Sequence, residues 1–204
     1  MNELAMQLRS KILKSPRDWV FCAADFGDLG AKQDVSRALV GMARAGEVRA
    51  LDRGLYDRPS WNAEVTAFGG PNPDELASAL ARRDGFRVLI HGARAAHLLG
   101  LSTYKPSQFI YLVDKGPSRI VEIEGVRLAF RRAPDWRLAL AGRPSGVIVQ
   151  ALTWLGESKV RSAQHRLSLY LRRVLPDQAK RDLLKGVDAA PGWLRPILDE
   201  AAEP

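Results

Sequence analysis

The chain has 204 residues, enough for one large domain or two small ones, and 46% of them are hydrophobic, which excludes a disordered polar tail. Its 31 Lys and Arg against 23 Asp and Glu leave a net charge of +8, which points to polyanionic partners, nucleic acid first and anionic membrane second. A single cysteine, Cys22, excludes an internal disulfide and a cysteine zinc cluster; with no apolar signal core and no run of about 18 apolar residues, a soluble cytoplasmic protein away from membranes is expected.

In chain order, Leu4, Leu8 and Ile12 recur every four residues and predict a helix over 3–14. Trp19 to Cys22 reads as a short apolar strand, and 23–29 as a brief helix turned by Gly30. Residues 31–45 form an amphipathic helix stopped by Gly46. Strands at 48–51 and 55–57 follow, closed by Asp52-Arg53-Gly54 with glycine at the position that takes positive φ. Three prolines and a Gly-Gly pair then interrupt both periodicities between residues 57 and 75. Beyond them the pattern gives a helix at 74–83, a strand at 87–90, a helix through GARAAHLLG, and strands at 109–113, 120–123 and 126–131. From Pro134 the pattern is helical, punctuated by Gly142, Gly156, Pro176 and Pro191.

On a 100° wheel the helix over 31–45 puts Val35, Ala38, Leu39 and Met42 on one face and Gln33, Arg37, Gly41 and Arg44 opposite, with Lys32 and Ser36 flanking the first turn. A helix entering the DNA major groove needs such a face, because Arg pairs with guanine, Gln with adenine, and Ser or Lys reaches phosphate. Any solvated helix also turns such residues outward, so the chain order carries the argument. Helix, short strand, short helix, glycine turn, longer helix and basic hairpin follow one another as in a winged helix-turn-helix, where the hairpin meets the backbone or minor groove. Arg49, Arg53 and Arg58 supply the hairpin with charge.

The stretches WVFCAADFGDLGAKQDVSRALVGMARAGEVRALDRGLYDRP, IHGARAAHLLGLST, FIYLVDKGPSRIV, PSGVIVQALTWLG and APGWLRPIL together reach nearly the whole chain. In them the sequence resembles the short branch of the AbiEi-type antitoxins of bacterial type IV toxin–antitoxin (abortive infection) systems. The resemblance implies a DNA-binding winged helix that represses its own operon and a C-terminal domain needed for antitoxicity. It also implies a functional partner, a nucleotidyltransferase-like toxin, with which direct contact is not expected. Where relatives tend to place Ser before the recognition helix, this chain has Ala31, which cannot cap it.

The expected architecture is α+β. A winged helix-turn-helix occupies 1–58, a linker 59–73, and a C-terminal α+β domain with a small helix-covered sheet 74–204. The DNA-binding residues are expected to be Lys32, Gln33, Ser36, Arg37, Arg44, Arg49 and Arg53, contacting the double-stranded DNA of the protein's own promoter. Residues 1–70 carry ten basic and nine acidic side chains, a net of +1, against 21 and 14, a net of +7, in 71–204. A second basic surface is therefore drawn on Arg82, Arg83, Arg94, Arg119, Arg127, Arg131 and Arg132, with a solvated face lacking a partner as the plain alternative. Tyr104, Phe109 and Tyr111 offer rings for base stacking, although alternation puts Phe109 and Tyr111 on one strand face suited to a core.

No metal or other cofactor is expected. His91 and His97 are six residues apart, on no common helical face, and His165 stands alone. Asp114, Glu122 and Glu124 echo the carboxylates of restriction-type nucleases, but Glu124 occupies the place where such sites want lysine. No nucleophile elbow, P-loop or dinucleotide fingerprint occurs. Beside the non-enzymatic antitoxin and autorepressor stand two other readings: a stand-alone winged-helix regulator, and a metal-dependent nuclease or other nucleic-acid-processing enzyme.

Overall fold

A computed structural model describes residues 3–58, 61–62, 67–68 and 70–203. The fold is α+β and divides into two units. One comprises Met1–Phe86 with Ile120–Leu128, the other Arg87–Arg119 with Ala129–Pro204. Among the described residues no helix is long and apolar enough to cross a membrane.

The first unit begins with α1 (Glu3–Lys14), β1 (Val20–Phe21) and a 3-10 turn at Ala23–Phe26, then α2 (Lys32–Arg44), β2 (Arg49–Asp52) and β3 (Leu55–Asp57). β3 lies between β1 and β2 in an antiparallel sheet. The hairpin turns on Arg53-Gly54 alone, because Asp52 already pairs with Leu55, and a register shift between Ala50 and Asp52 absorbs the extra residue. Gly54 takes φ +72, as its place in the turn requires. Leu8, Ile12, Phe21, Phe26, Val35, Leu39, Met42, Val48 and Tyr56 share one core. The stripe on α2 is therefore the inward face that the wheel predicts. Within this core Phe21 meets Phe26 edge to face at 5.7 Å and stacks on Tyr56 at 6.2 Å.

β4 (Trp61–Asn62) and β5 (Ala67–Phe68) pair antiparallel. The rest of the stretch expected as a linker, residues 59–73, is partly outside the described residues, which omit 59, 60, 63–66 and 69. The division of the chain falls later than that linker, at Phe86, because α3 (Pro73–Asp84) belongs to the first unit. Asn72 caps α3, its side-chain oxygen accepting the N–H groups of Asp74 and Glu75, and Gly85 closes the helix in the left-handed region. Leu76, Ala77 and Leu80 bury its apolar side.

The second unit holds β6 (Val88–Ile90), α4 (Gly92–Leu98) and β7 (Phe109–Val113). β8 (Arg119–Ile123) and β9 (Val126–Arg132) complete a four-stranded sheet in the order β6-β7-β9-β8. Residues 120–128, the end of the β8–β9 hairpin, group with the first unit. After a 3-10 turn at Asp135–Leu138 come α5 (Pro144–Leu155), α6 (Glu157–Ser162), α7 (Gln164–Val174), α8 (Asp177–Gly186) and α9 (Arg195–Ala202). Ile148, Leu152, Leu171, Leu183, Leu194, Ile197 and Leu198 fill the core of this helical layer. α4 lies against α5 through Ala95, Ala96 and Ala151, all fully buried.

Gly92 sets that approach. A Cβ there would lie 2.5 Å from both the Gln150 carbonyl oxygen and the Trp154 Cβ, inside the contact distance of each. Gly92→Ala should therefore separate α4 from α5 and cost about 1–3 kcal/mol, as overpacking does. Chemical denaturation of the full chain checks this, and a wild-type midpoint would mean that the helices yield freely.

Candidate nucleic-acid interface

Burial of Val35, Leu39 and Met42 leaves the opposite side of α2 to solvent. Gln33, Ser36, Arg37, Val40, Gly41 and Arg44 line a shallow open groove there, and Lys32 and Asp34 are exposed at its first turn. Ser36 is half-buried and the others are exposed. Arg37 makes a loose ion pair with Asp34 at 3.4 Å, a contact worth little between two such exposed groups. Lys32 and Arg44 have no partner among the described residues. With Ala31 in place, no side chain caps α2, and the first intrahelical bonds run from the Asp34 and Val35 N–H groups to the Ala31 carbonyl. The N–H groups of the turn before them are left for solvent or an anion.

The two hairpin arginines differ sharply. Arg53 is exposed at the tip, with no partner for its guanidinium among the described residues. Arg49 is not a free wing cation. Its Nε and Nη2 donate to the two carboxylate oxygens of Asp57 at 3.0 and 2.6 Å, across the β2–β3 pair, and Asp57 is buried. The hydrogen bonds to Asp57 raise the Arg49 pKa further, and the fork-to-fork geometry closes the base of the hairpin. Arg58, at the end of β3, is half-buried.

The seven arginines expected to form a second basic surface are divided between the two units. Arg82, Arg83 and Arg127 fall in the first unit, and Arg94, Arg119, Arg131 and Arg132 in the second. Arg82 and Arg83 are internal braces. Arg82 donates to the Val20 carbonyl at 2.8 Å and pairs with Asp25 at 2.6 Å. Arg83 binds Asp52 at 3.0 Å, Asp84 at 2.7 Å and the Arg53 carbonyl oxygen at 2.8 Å, so α3 grips the hairpin tip. Arg94 lies over the Phe109 ring and Arg119 over the Phe130 ring. Arg127, Arg131 and Arg132 are exposed.

The other polar residues take structural places. His91 caps α4, its Nδ1 accepting the Ala93 N–H, and burial followed by the nearby Arg131 and Arg137 lowers its pKa, which keeps the ring neutral. His165 pairs with Glu200 at 2.7 Å. The buried Cys22 thiol is pushed up first by burial and then by Asp25, so it stays protonated. Asp114 accepts from the Arg87 N–H and guanidinium, which outweigh its burial and hold its carboxyl below the usual range. Glu122 and Glu124 belong to the other unit, and among the described residues no three His, Cys, Asp or Glu gather where they could hold a metal.

A family model described as "Family of unknown function (DUF6088)" matches residues 7–182. The chain belongs to this family. No curated protein matches it, and no solved structure does. The match to DUF6088 runs from α1 into α8, so the family takes in both units and the whole of the α2 face and the hairpin.

Two features of the α2 face are absent from the residues singled out in the sequence. Asp34 and Val40 stand beside Gln33, Arg37 and Arg44, and Val40 was legible on the same wheel at three residues from Arg37 and four from Arg44. Its apolar character is what hid it. The grip of Arg83 on the tip has a direct consequence. Arg83→Ala should speed amide exchange between Asp52 and Leu55 and cost about 1 kcal/mol of stability. Hydrogen-exchange mass spectrometry on the full chain reads the effect, and unchanged exchange would mean that the tip holds its shape unaided.

Proposed function

We propose that this chain is a non-enzymatic DNA-binding protein of the bacterial cytoplasm, which represses its own promoter and serves as the antitoxin to a nucleotidyltransferase-like toxin. The observation that carries the reading is the exposed side of α2, where Gln33, Arg37 and Arg44 stand around Val40 and Gly41. Arg37 and Arg44 are two turns apart, about 10 Å along the helix axis, the length of roughly three base-pair steps. Such a face reads guanine through Arg, adenine through Gln33, the cytosine amine through Asp34 and the thymine methyl through Val40.

Element order supports a winged helix-turn-helix. α1, the 3-10 turn, α2 and the β2–β3 hairpin share one core in that sequence, and Arg53 is the cation at the hairpin tip. The antitoxin role rests on the resemblance of five segments, the last of which includes Trp193 and Leu194 near α9. Co-expression with the neighbouring gene tests that role, and a neighbour that does not impair growth without this protein would leave a stand-alone regulator.

Three substitutions separate base reading, backbone contact and support. Arg37→Ala should weaken binding to the promoter upstream of the gene by about 1–3 kcal/mol and relax sequence preference at one position. An unchanged affinity in fluorescence anisotropy would remove α2 from the interface. Arg53→Ala should weaken binding to all duplexes alike and reduce the slope of log K against log salt by about 0.9, the loss of one phosphate contact. Arg49→Ala strands the Asp57 carboxylate, so it should lower the thermal midpoint first. If Arg49→Ala kept wild-type stability yet reproduced the salt effect of Arg53→Ala, Arg49 would be a phosphate contact after all.

A further inference from the structure

With the division of the chain at Phe86, the first unit carries 13 basic and 14 acidic residues, a net of −1, and the second 18 and 9, a net of +9. The whole surplus of positive charge lies in the second unit, whose residues have not yet been assigned a ligand. That unit has an open cleft formed by α4, the end of α5 and the segment leading into β7. It is lined by His91, Arg94, Tyr104, Ser107, Gln108 and Trp154, among others.

Two large aromatic rings stand in solvent there. Tyr104 is 58% exposed and Trp154 40%, and the rings stack nearly parallel, with centroids 6.3 Å apart and planes inclined by 18°. Trp154 does not serve the core, which Ile148 and Leu152 of the same helix supply. Its base is fixed instead by the close approach of Gly92, so the ring is held rather than loosely draped. Arg94 lies over the Phe109 ring, 4.8 Å from its centroid, which seats a guanidinium at the wall of the cleft. Ser107 and Gln108 are exposed beside it and offer donors and acceptors for the edge of a planar ring.

Exposed π faces, amide and hydroxyl groups and a cation at one site match the parts of a nucleotide: base face, base edge and phosphate. A paired base in a duplex keeps both faces covered by its neighbours and cannot reach such a ring. An acidic peptide would use the charge and leave the rings idle. We propose that this cleft binds an unpaired nucleotide of a single strand, its base stacked on the Tyr104–Trp154 pair and its phosphate held by Arg94. The strand is RNA or locally melted DNA, and the shared chemistry is the unstacked base. The residues involved are independent of the α2 face, so this site stands or falls separately from promoter recognition.

The experiment titrates the full-length protein into labelled oligo(rU) and oligo(dT) of about ten nucleotides, within the usual span of one single-strand site, with polyglutamate as a polyanion without bases. Wild-type protein should bind one or both oligonucleotides, and the preferred one names the source of the strand. Tyr104→Ala and Trp154→Ala should each weaken that binding about tenfold or more, while Tyr104→Phe, which keeps the ring, retains it. Binding of polyglutamate and of promoter duplex should be unchanged by Tyr104→Ala. Tyr104 is exposed, so its thermal midpoint should stay at the wild-type value even if Trp154→Ala loses stability. Oligonucleotide affinity that survives Tyr104→Ala would overturn the proposal. So would polyglutamate binding as tightly as the oligonucleotides and weakening by the same factor, which would make the cleft a site for acidic peptide.

Discussion

Arg82 and Asp25 form the contact on which the first unit depends. Asp25 accepts the Cys22 N–H at 2.8 Å and the Arg82 guanidinium at 2.6 Å, while Arg82 also reaches the Val20 carbonyl. One half-buried carboxylate thus ties the last helix of the unit to the strand and the 3-10 turn that precede α2. The next residue, Arg83, carries the same helix to the hairpin tip through the Arg53 carbonyl. A partly buried ion pair adds modest net stability, but breaking it leaves a half-covered charge unmatched, so it favours one arrangement over others. Here it braces the 3-10 turn before α2, while Arg83 braces the tip of β2–β3.

The same contacts explain why charge counted along the chain does not tell paired cations from exposed ones. Arg49, Arg82, Arg83 and Arg87 look like solvent cations in the sequence, and each is matched by Asp57, Asp25, Asp52 or Asp114. Those partners lie 8, 57, 31 and 27 residues away, and all but the cross-strand Asp57 are beyond any local pattern. Lys32, Arg44 and Arg53, by contrast, sit on locally determined elements, a helix face and a two-residue turn, and periodicity alone was enough to expose them.

Much of the secondary structure was legible for the same reason. Leu8 and Ile12 of α1 and Val35, Leu39 and Met42 of α2 are buried where their spacing puts them. The assignment of α3 was not legible. Its Pro and Gly boundaries mark a helix, but nothing in a helix pattern says which core it joins, and Leu76, Ala77 and Leu80 would suit either. The cleft on the second unit was hidden differently. α5 is apolar nearly all round, so no wheel separates the exposed Trp154 from the buried Ile148 and Leu152. Packing against the later helices buries Ile148 and Leu152, and α4 meets the base of Trp154 at Gly92.

A net charge of −1 on the first unit gives it no long-range pull on DNA, so on the proposed reading a duplex would be held by the few local cations on α2 and at Arg53. Such contacts act within a Debye length of about 10 Å and favour base reading over non-specific adhesion. The second unit has the opposite character: at +9 it attracts any polyanion, and selectivity there has to come from groups that charge does not supply. Exposed parallel rings are groups of that kind, because stacking requires a free base face that neither a duplex nor a carboxylate chain presents. On the two proposals, discrimination in one unit would come from contact without a field, and in the other from contact superimposed on one. Raising salt should therefore change the two kinds of binding unequally even where the number of direct contacts is similar.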